Sequence, residues 1–149
     1  MGTHYQGTQL EKDALEVYIK LSRAAETVEN RINCHLKDYG LTWSQFGVLE
    51  ALFHLGPLHP QELAAKILKS RGNLTLVVDN LVKRGLVTRE RDEGDRRYVT
   101  ICLTGDGRQL IGDIFPQHVR QVVETIGMLS PEEQQQLAAL CRKLGLAQK

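Results

Sequence analysis

Asp95, Arg96 and Arg97 stand in and beside a polar turn, Glu93-Gly94-Asp95-Arg96, between two short runs rich in Val, Thr, Ile and Tyr. A guanidinium offers planar donors to phosphate oxygens or base edges, and a carboxylate two residues away can hold it in one pose by a bidentate contact. An arginine at the tip of a projecting ribbon suits a narrow minor groove, where negative potential is focused. Arg89, Arg91 and Arg96 are candidates for phosphate contacts, which position a protein without reading sequence. A second set lies just upstream: Ser70, Arg71, Asn73, Thr75 and Leu76. Arginine pairs with guanine, asparagine with adenine, and the Thr and Leu methyls suit the thymine methyl. Ser70 and the amides of a helix start suit a phosphate.

Particular elements must carry these groups. Residues 86–92 and 97–103 predict a β-hairpin, with Val99, Ile101 and Leu103 on one face of its second strand and Tyr98, Thr100 and Cys102 on the other. Ahead of it, Leu74, Val77, Val78 and Leu81 give the i, i+3, i+4, i+7 stripe of a helix over 71–83, capped by Ser70 and stopped by Gly85. Asn73, Thr75, Leu76, Asp79, Lys83 and Arg84 fall on its outward side. A shorter helix starts near Pro60, and another runs from a cap at Thr42 or Ser44 to about Leu55, where Gly56-Pro57 breaks it. Helix, turn, helix, then a charged ribbon is a winged helix-turn-helix, and its expected partner is double-stranded DNA.

Two longer helical patterns flank this part. Tyr18, Leu21, Ala25, Val28, Ile32 and Leu36 form one stripe over about 10–39, ended by Gly40. Thr104 caps a helix to about Met128, with Pro116 inside it as an expected kink, and Ser130-Pro131-Glu132-Glu133 opens the last helix. The fold class is thus mainly α, an α+β winged helix. Residues 41–104 form the DNA-binding part and 9–39 with 105–146 a helical dimerisation part of one domain spanning 1–149. Apolar stripes at both ends would be a liability in water, and two copies can bury them against each other.

The bulk numbers fit. The chain has 149 residues, 42% hydrophobic and 25% charged, with a net charge of +1. The charge is uneven: between Lys66 and Arg97 there are nine Lys or Arg against five Asp or Glu. Cys34, Cys102 and Cys141 share no close spacing, which excludes a zinc ribbon or disulfide framework, and the five histidines are dispersed, so no metal or other cofactor is expected. No apolar run suits a membrane span or a leader, and Gln6 breaks the myristoylation pattern, so the expected location is cytoplasmic. A nucleophile elbow, a phosphate-binding glycine loop and a carboxylate pair with a matching base are all missing, which argues against an enzyme.

The chain resembles the MarR family of bacterial transcription regulators. The resemblance rests on Leu41-Thr42-Trp43-Ser44-Gln45-Phe46-Gly47-Val48-Leu49, Glu62-Leu63-Ala64, Leu81-Val82-Lys83-Arg84-Gly85-Leu86-Val87, and most specifically Arg91-Asp92-Glu93-Gly94-Asp95-Arg96-Arg97 followed by Leu103-Thr104-Gly105-Asp106-Gly107. It implies a homodimer with interlocked terminal helices, binding a pseudo-palindromic operator, with repression as the default. Asp95 and Arg97 then occupy the family's wing motif, and Gly72 and Leu76 depart from residues common in relatives. It also implies a small aromatic or phenolic effector near the junction of the two parts, where Arg31, His35, Trp43 and Phe46 fall by pattern. Trp43 and Phe46 also fit as plain core. Two alternatives are a thiol-based redox sensor acting through Cys34 and a winged helix used for protein contact without DNA.

Overall fold

The computed structural model describes residues 2–67 and 71–147. The chain divides into two compact units, one made of residues 1–34 and 120–149, the other of residues 35–119.

The second unit carries the winged helix. A 3-10 turn, Cys34–Tyr39, leads into α2, Trp43–Leu55. Thr42 caps α2 in a capping box: its side chain accepts from the Gln45 amide, and the Gln45 side chain accepts from the Thr42 amide. Helix α3, Pro60–Ile67, precedes α4, Arg71–Lys83. Then come β1, Val87–Arg91, and β2, Val99–Leu103, antiparallel with Val87 opposite Leu103 and Arg91 opposite Val99. Leu58 adds an isolated bridge on the far edge of β2, exchanging both backbone hydrogen bonds with Ile101 at 3.2 and 2.8 Å. Helix α5, Gly105–Ile126, starts in this unit and runs through Pro116.

Phe46, Leu49, Leu52, Leu63, Leu74, Leu81, Ile101, Ile111 and Ile114 are buried in one core. Each such side chain contributes about 1.5–3 kcal/mol of transfer free energy. The predicted stripe of α4 holds: Leu74, Val78 and Leu81 are buried, with Val77 half-buried beside them. Two joints lock the core to the ribbon. Thr104 Oγ1 donates to the Gly85 carbonyl at 2.6 Å and accepts from the Gly107 amide at 3.0 Å. Gly85 itself takes φ +73°, the left-handed stop expected after α4.

The first unit holds α1, Gln9–Asn33, capped by a Thr8–Glu11 box, and α6, Pro131–Ala147, whose Ser130–Glu133 box is the expected start signal. The first helix is shorter than its stripe predicts. The α-helix ends at Asn33, and Cys34–Tyr39 tightens to 3-10 geometry, closed by Gly40 at φ +65°. The four-residue step from Ile32 to Leu36 does not register that tightening, so periodicity reads straight through it.

Candidate nucleic-acid interface

The tip of the ribbon is built by local hydrogen bonds. The Asp92 amide donates to the Tyr98 carbonyl and the Tyr98 amide to the Asp95 carbonyl, both at 3.0 Å. The Asp92 carboxylate accepts from the Gly94 amide at 3.1 Å. Arg91 Nη1 reaches across the turn to the Arg96 carbonyl at 3.1 Å. Asp95 then grips Arg97: Oδ1 accepts from Nε at 3.0 Å and from the Arg97 amide at 3.0 Å, and Oδ2 accepts from Nη2 at 2.9 Å. The Arg97 hydrogen bonds hold the Asp95 carboxyl below its usual range, and the same pair raises the Arg97 guanidinium.

The Arg97 side chain remains 89% exposed. In this exposed setting the ion pair adds little to folding. What it does is fix direction, because a two-point contact between planar groups leaves the guanidinium one pose, with its Nη1 edge not engaged by Asp95.

Helix α4 presents Asn73, Thr75 and Leu76 as exposed residues, Leu76 at 64%. Arg71 is its first residue, and Ser70 lies outside the described residues. Arg96 is exposed at the turn. Arg89 is engaged with α4, its Nη2 lying 2.6 Å from Asp79 Oδ1. Arg84, read as outward, instead clamps the loop before α2, donating to the carbonyls of Gly40 at 2.9 Å and Tyr39 at 3.1 Å.

The four expected effector residues divide between the two units. His35 and Phe46 are buried in the second unit, whereas Arg31 belongs to the first and is exposed. Trp43 is 48% exposed, so it is not core, and it lines an open cavity of about 460 Å³ with Glu50, His54 and Lys66. Desolvation raises the Glu50 carboxyl there.

A residue that sequence reasoning passed over, the half-buried His118, joins His35 and Phe46. Its ring lies 4.5 Å from Phe46 and 5.6 Å from His35, centroid to centroid. Neither ring nitrogen of His35 nor Nδ1 of His118 has a hydrogen-bond partner among the described residues. Burial first, then the His35 ring, lowers the His118 pKa from 6.5. The folded state therefore resists protonation that the unfolded chain accepts. This stability term is fully present above pH 6.5 and declines as pH falls below it. Thermal unfolding between about pH 7.5 and 5.5 should show a falling midpoint, with a shallower fall in His118→Gln. An equal slope in the variant would assign the effect elsewhere.

Cys34, the redox candidate, is exposed with Sγ 3.2 Å from the Arg31 carbonyl of its own helix turn. Burial and the Glu90 carboxylate raise the Cys102 thiol, the opposite of an activated thiolate.

Comparison with known proteins agrees with this architecture. The MarR family model matches residues 41–99. The chain is 36% identical over 133 residues to the HTH-type transcriptional regulator MhqR of Bacillus subtilis (strain 168), covering 89% of this chain and 92% of the relative. It is similar to the solved structure of Bordetella bronchiseptica BpsR, with a TM-score of 0.81, 27% identity and coverage of 96% and 98%; the DNA binding of BpsR is regulated by 6-hydroxynicotinic acid. It is also similar to Sco3205, a MarR family transcriptional regulator from Streptomyces coelicolor solved in complex with DNA, with a TM-score of 0.83, 26% identity and coverage of 97% and 91%. Family model, sequence relatives and winged fold agree: this chain belongs to the MarR family of transcriptional regulators.

Proposed function

We propose that the chain is a homodimeric repressor that binds a pseudo-palindromic DNA operator and is released by a small aromatic or phenolic effector. The observation that carries the DNA part is the Asp95–Arg97 fork at the ribbon tip, a pre-aimed guanidinium on the same compact unit as α4. Asn73, Thr75, Leu76 and Arg71 are the base-reading set in the major groove, Arg97 enters the minor groove, and Arg91 and Arg96 approach phosphates, with Ser70 at the helix start. The DNA complex of Sco3205 supports this reading.

The dimer rests on apolar side chains left in water in the first unit: Val17 at 59% exposure, Tyr18 at 68%, Val123 at 64%, Met128 at 79% and Leu140 at 60%. Effector release rests on both ring nitrogens of His35 and Nδ1 of His118, buried beside Phe46 with no hydrogen-bond partner among the described residues, and on the behaviour of BpsR. A DNA partner implies a cytoplasmic location.

The test is selection of bound duplexes from a random DNA pool, followed by affinity against salt, with light scattering on the free protein. We expect an inverted repeat, a dimer, and a loss of affinity of about a thousandfold between about 50 and 200 mM salt. A monomer that enriches no sequence would refute the proposal.

A further inference from the structure

Arg89 differs from Arg91, its neighbour on the same face of β1, in what its guanidinium meets: Arg91 turns to the Arg96 carbonyl of the wing, whereas Arg89 reaches α4. Arg89 pairs with Ile101, which is 1% exposed. Directly opposed residues project from the same face of an antiparallel pair, so Arg89 leaves the ribbon on its core-facing side. There its Nη2 meets Asp79 Oδ1 at 2.6 Å and donates to the Thr75 carbonyl at 3.4 Å. Thr75 and Asp79 lie one turn apart on α4. The guanidinium therefore spans a turn of the helix that would read bases, from the strand that carries the wing. The Arg89 and Asp79 side chains are 35% and 44% exposed, so solvent only partly screens the pair.

We infer that Arg89 is a positioning residue for DNA recognition: with Asp79 it sets the wing at a fixed offset from α4, so that both reach their grooves together. The inference rests on the DNA-binding reading above. A helix and a ribbon that must engage one duplex at two grooves lose affinity if their spacing has to be ordered on binding, and a pre-set strut removes that cost. Simple charge counting predicts the opposite sign at one position. Removing the Asp79 carboxylate would bring the surface closer to the polyanion's liking and tighten binding; loss of a strut would weaken it.

The probes are the duplex selected by the parent protein and an unrelated duplex of equal length. Asp79→Asn and Arg89→Ala should each weaken binding to the selected duplex about five- to tenfold. Binding to the unrelated duplex should stay within about twofold, and the slope against log salt should not change. The reversed pair, Asp79→Arg with Arg89→Asp, should recover much of the selectivity. Tighter binding by Asp79→Asn, with a slope lowered by about one in Arg89→Ala, would make Arg89 a phosphate contact and overturn the strut. Equal losses on both duplexes alongside a lower unfolding midpoint would make the pair a fold staple and overturn it too. A parent that selects no duplex overturns the underlying DNA reading, and that is measured first.

Discussion

Arg97→Ala is expected to weaken binding to the selected operator about 5- to 150-fold while leaving the unfolding midpoint unchanged. The two halves follow from the same geometry. The side chain is 89% exposed and its ion pair is at the surface, so folding loses little. Its guanidinium is held by two side-chain hydrogen bonds to one carboxylate, so binding loses a donor already aimed. Arg97→Lys should rescue poorly, because an ammonium keeps the charge but cannot make the planar two-point contact. Asp95→Ala gives the sharper result. Removing a negative charge near DNA favours binding on Coulomb grounds, whereas releasing Arg97 from its pose disfavours it. We expect a net loss, smaller than that of Arg97→Ala. Unaltered affinity in both Arg97 variants would remove the wing from the DNA contact.

Gly107→Ala is expected to cost about 3 kcal/mol of stability. Gly107 sits buried in the first turn of α5, and an added Cβ would overlap the Leu86 carbonyl oxygen and press on Leu103. The Leu86 carbonyl cannot swing aside freely, since it accepts from the Thr104 amide at 3.1 Å. Relief would have to move the start of α5 off the ribbon, breaking the Thr104 cap and exposing part of the Ile111 and Ile114 core. Gly112 is the internal control. It lies on the same helix, and an added Cβ meets nothing within 4 Å. Gly112→Ala should therefore gain about 0.5–1 kcal/mol from helix propensity and a stiffer unfolded chain. Chemical unfolding of both variants checks the pair, and equal changes would refute the packing argument.

How much of this was legible without coordinates varied with the range of the interaction. Caps and turns are local, and the starts at Thr42, Thr104 and Ser130, the stops at Gly40 and Gly85, and the Asp95–Arg97 fork could all be read from neighbours a few residues apart. Alternation on β2 was legible, but carrying its parity across to β1 needs the register. That is why Arg89 reads as one more basic residue in sequence and as a partner of Asp79 in space. His118 was invisible as a companion of His35 and Phe46, because α5 brings it back from a distant part of the chain. Arg84 was assigned outward from helical phase alone, yet a long side chain at a helix end can fold back onto carbonyls, here those of Tyr39 and Gly40. Trp43 fitted an apolar pattern by type, and its position at the first turn of α2 left it half in solvent.

The Leu58 bridge bears on how the protein behaves when concentrated. By closing one border of the two-stranded sheet at Ile101, it leaves β1 as the outer border, and β1 bears Arg89-Glu90-Arg91 in succession. Charged residues along an outermost strand repel a neighbouring chain that would add itself there, so self-assembly through this sheet into fibrous aggregates is disfavoured.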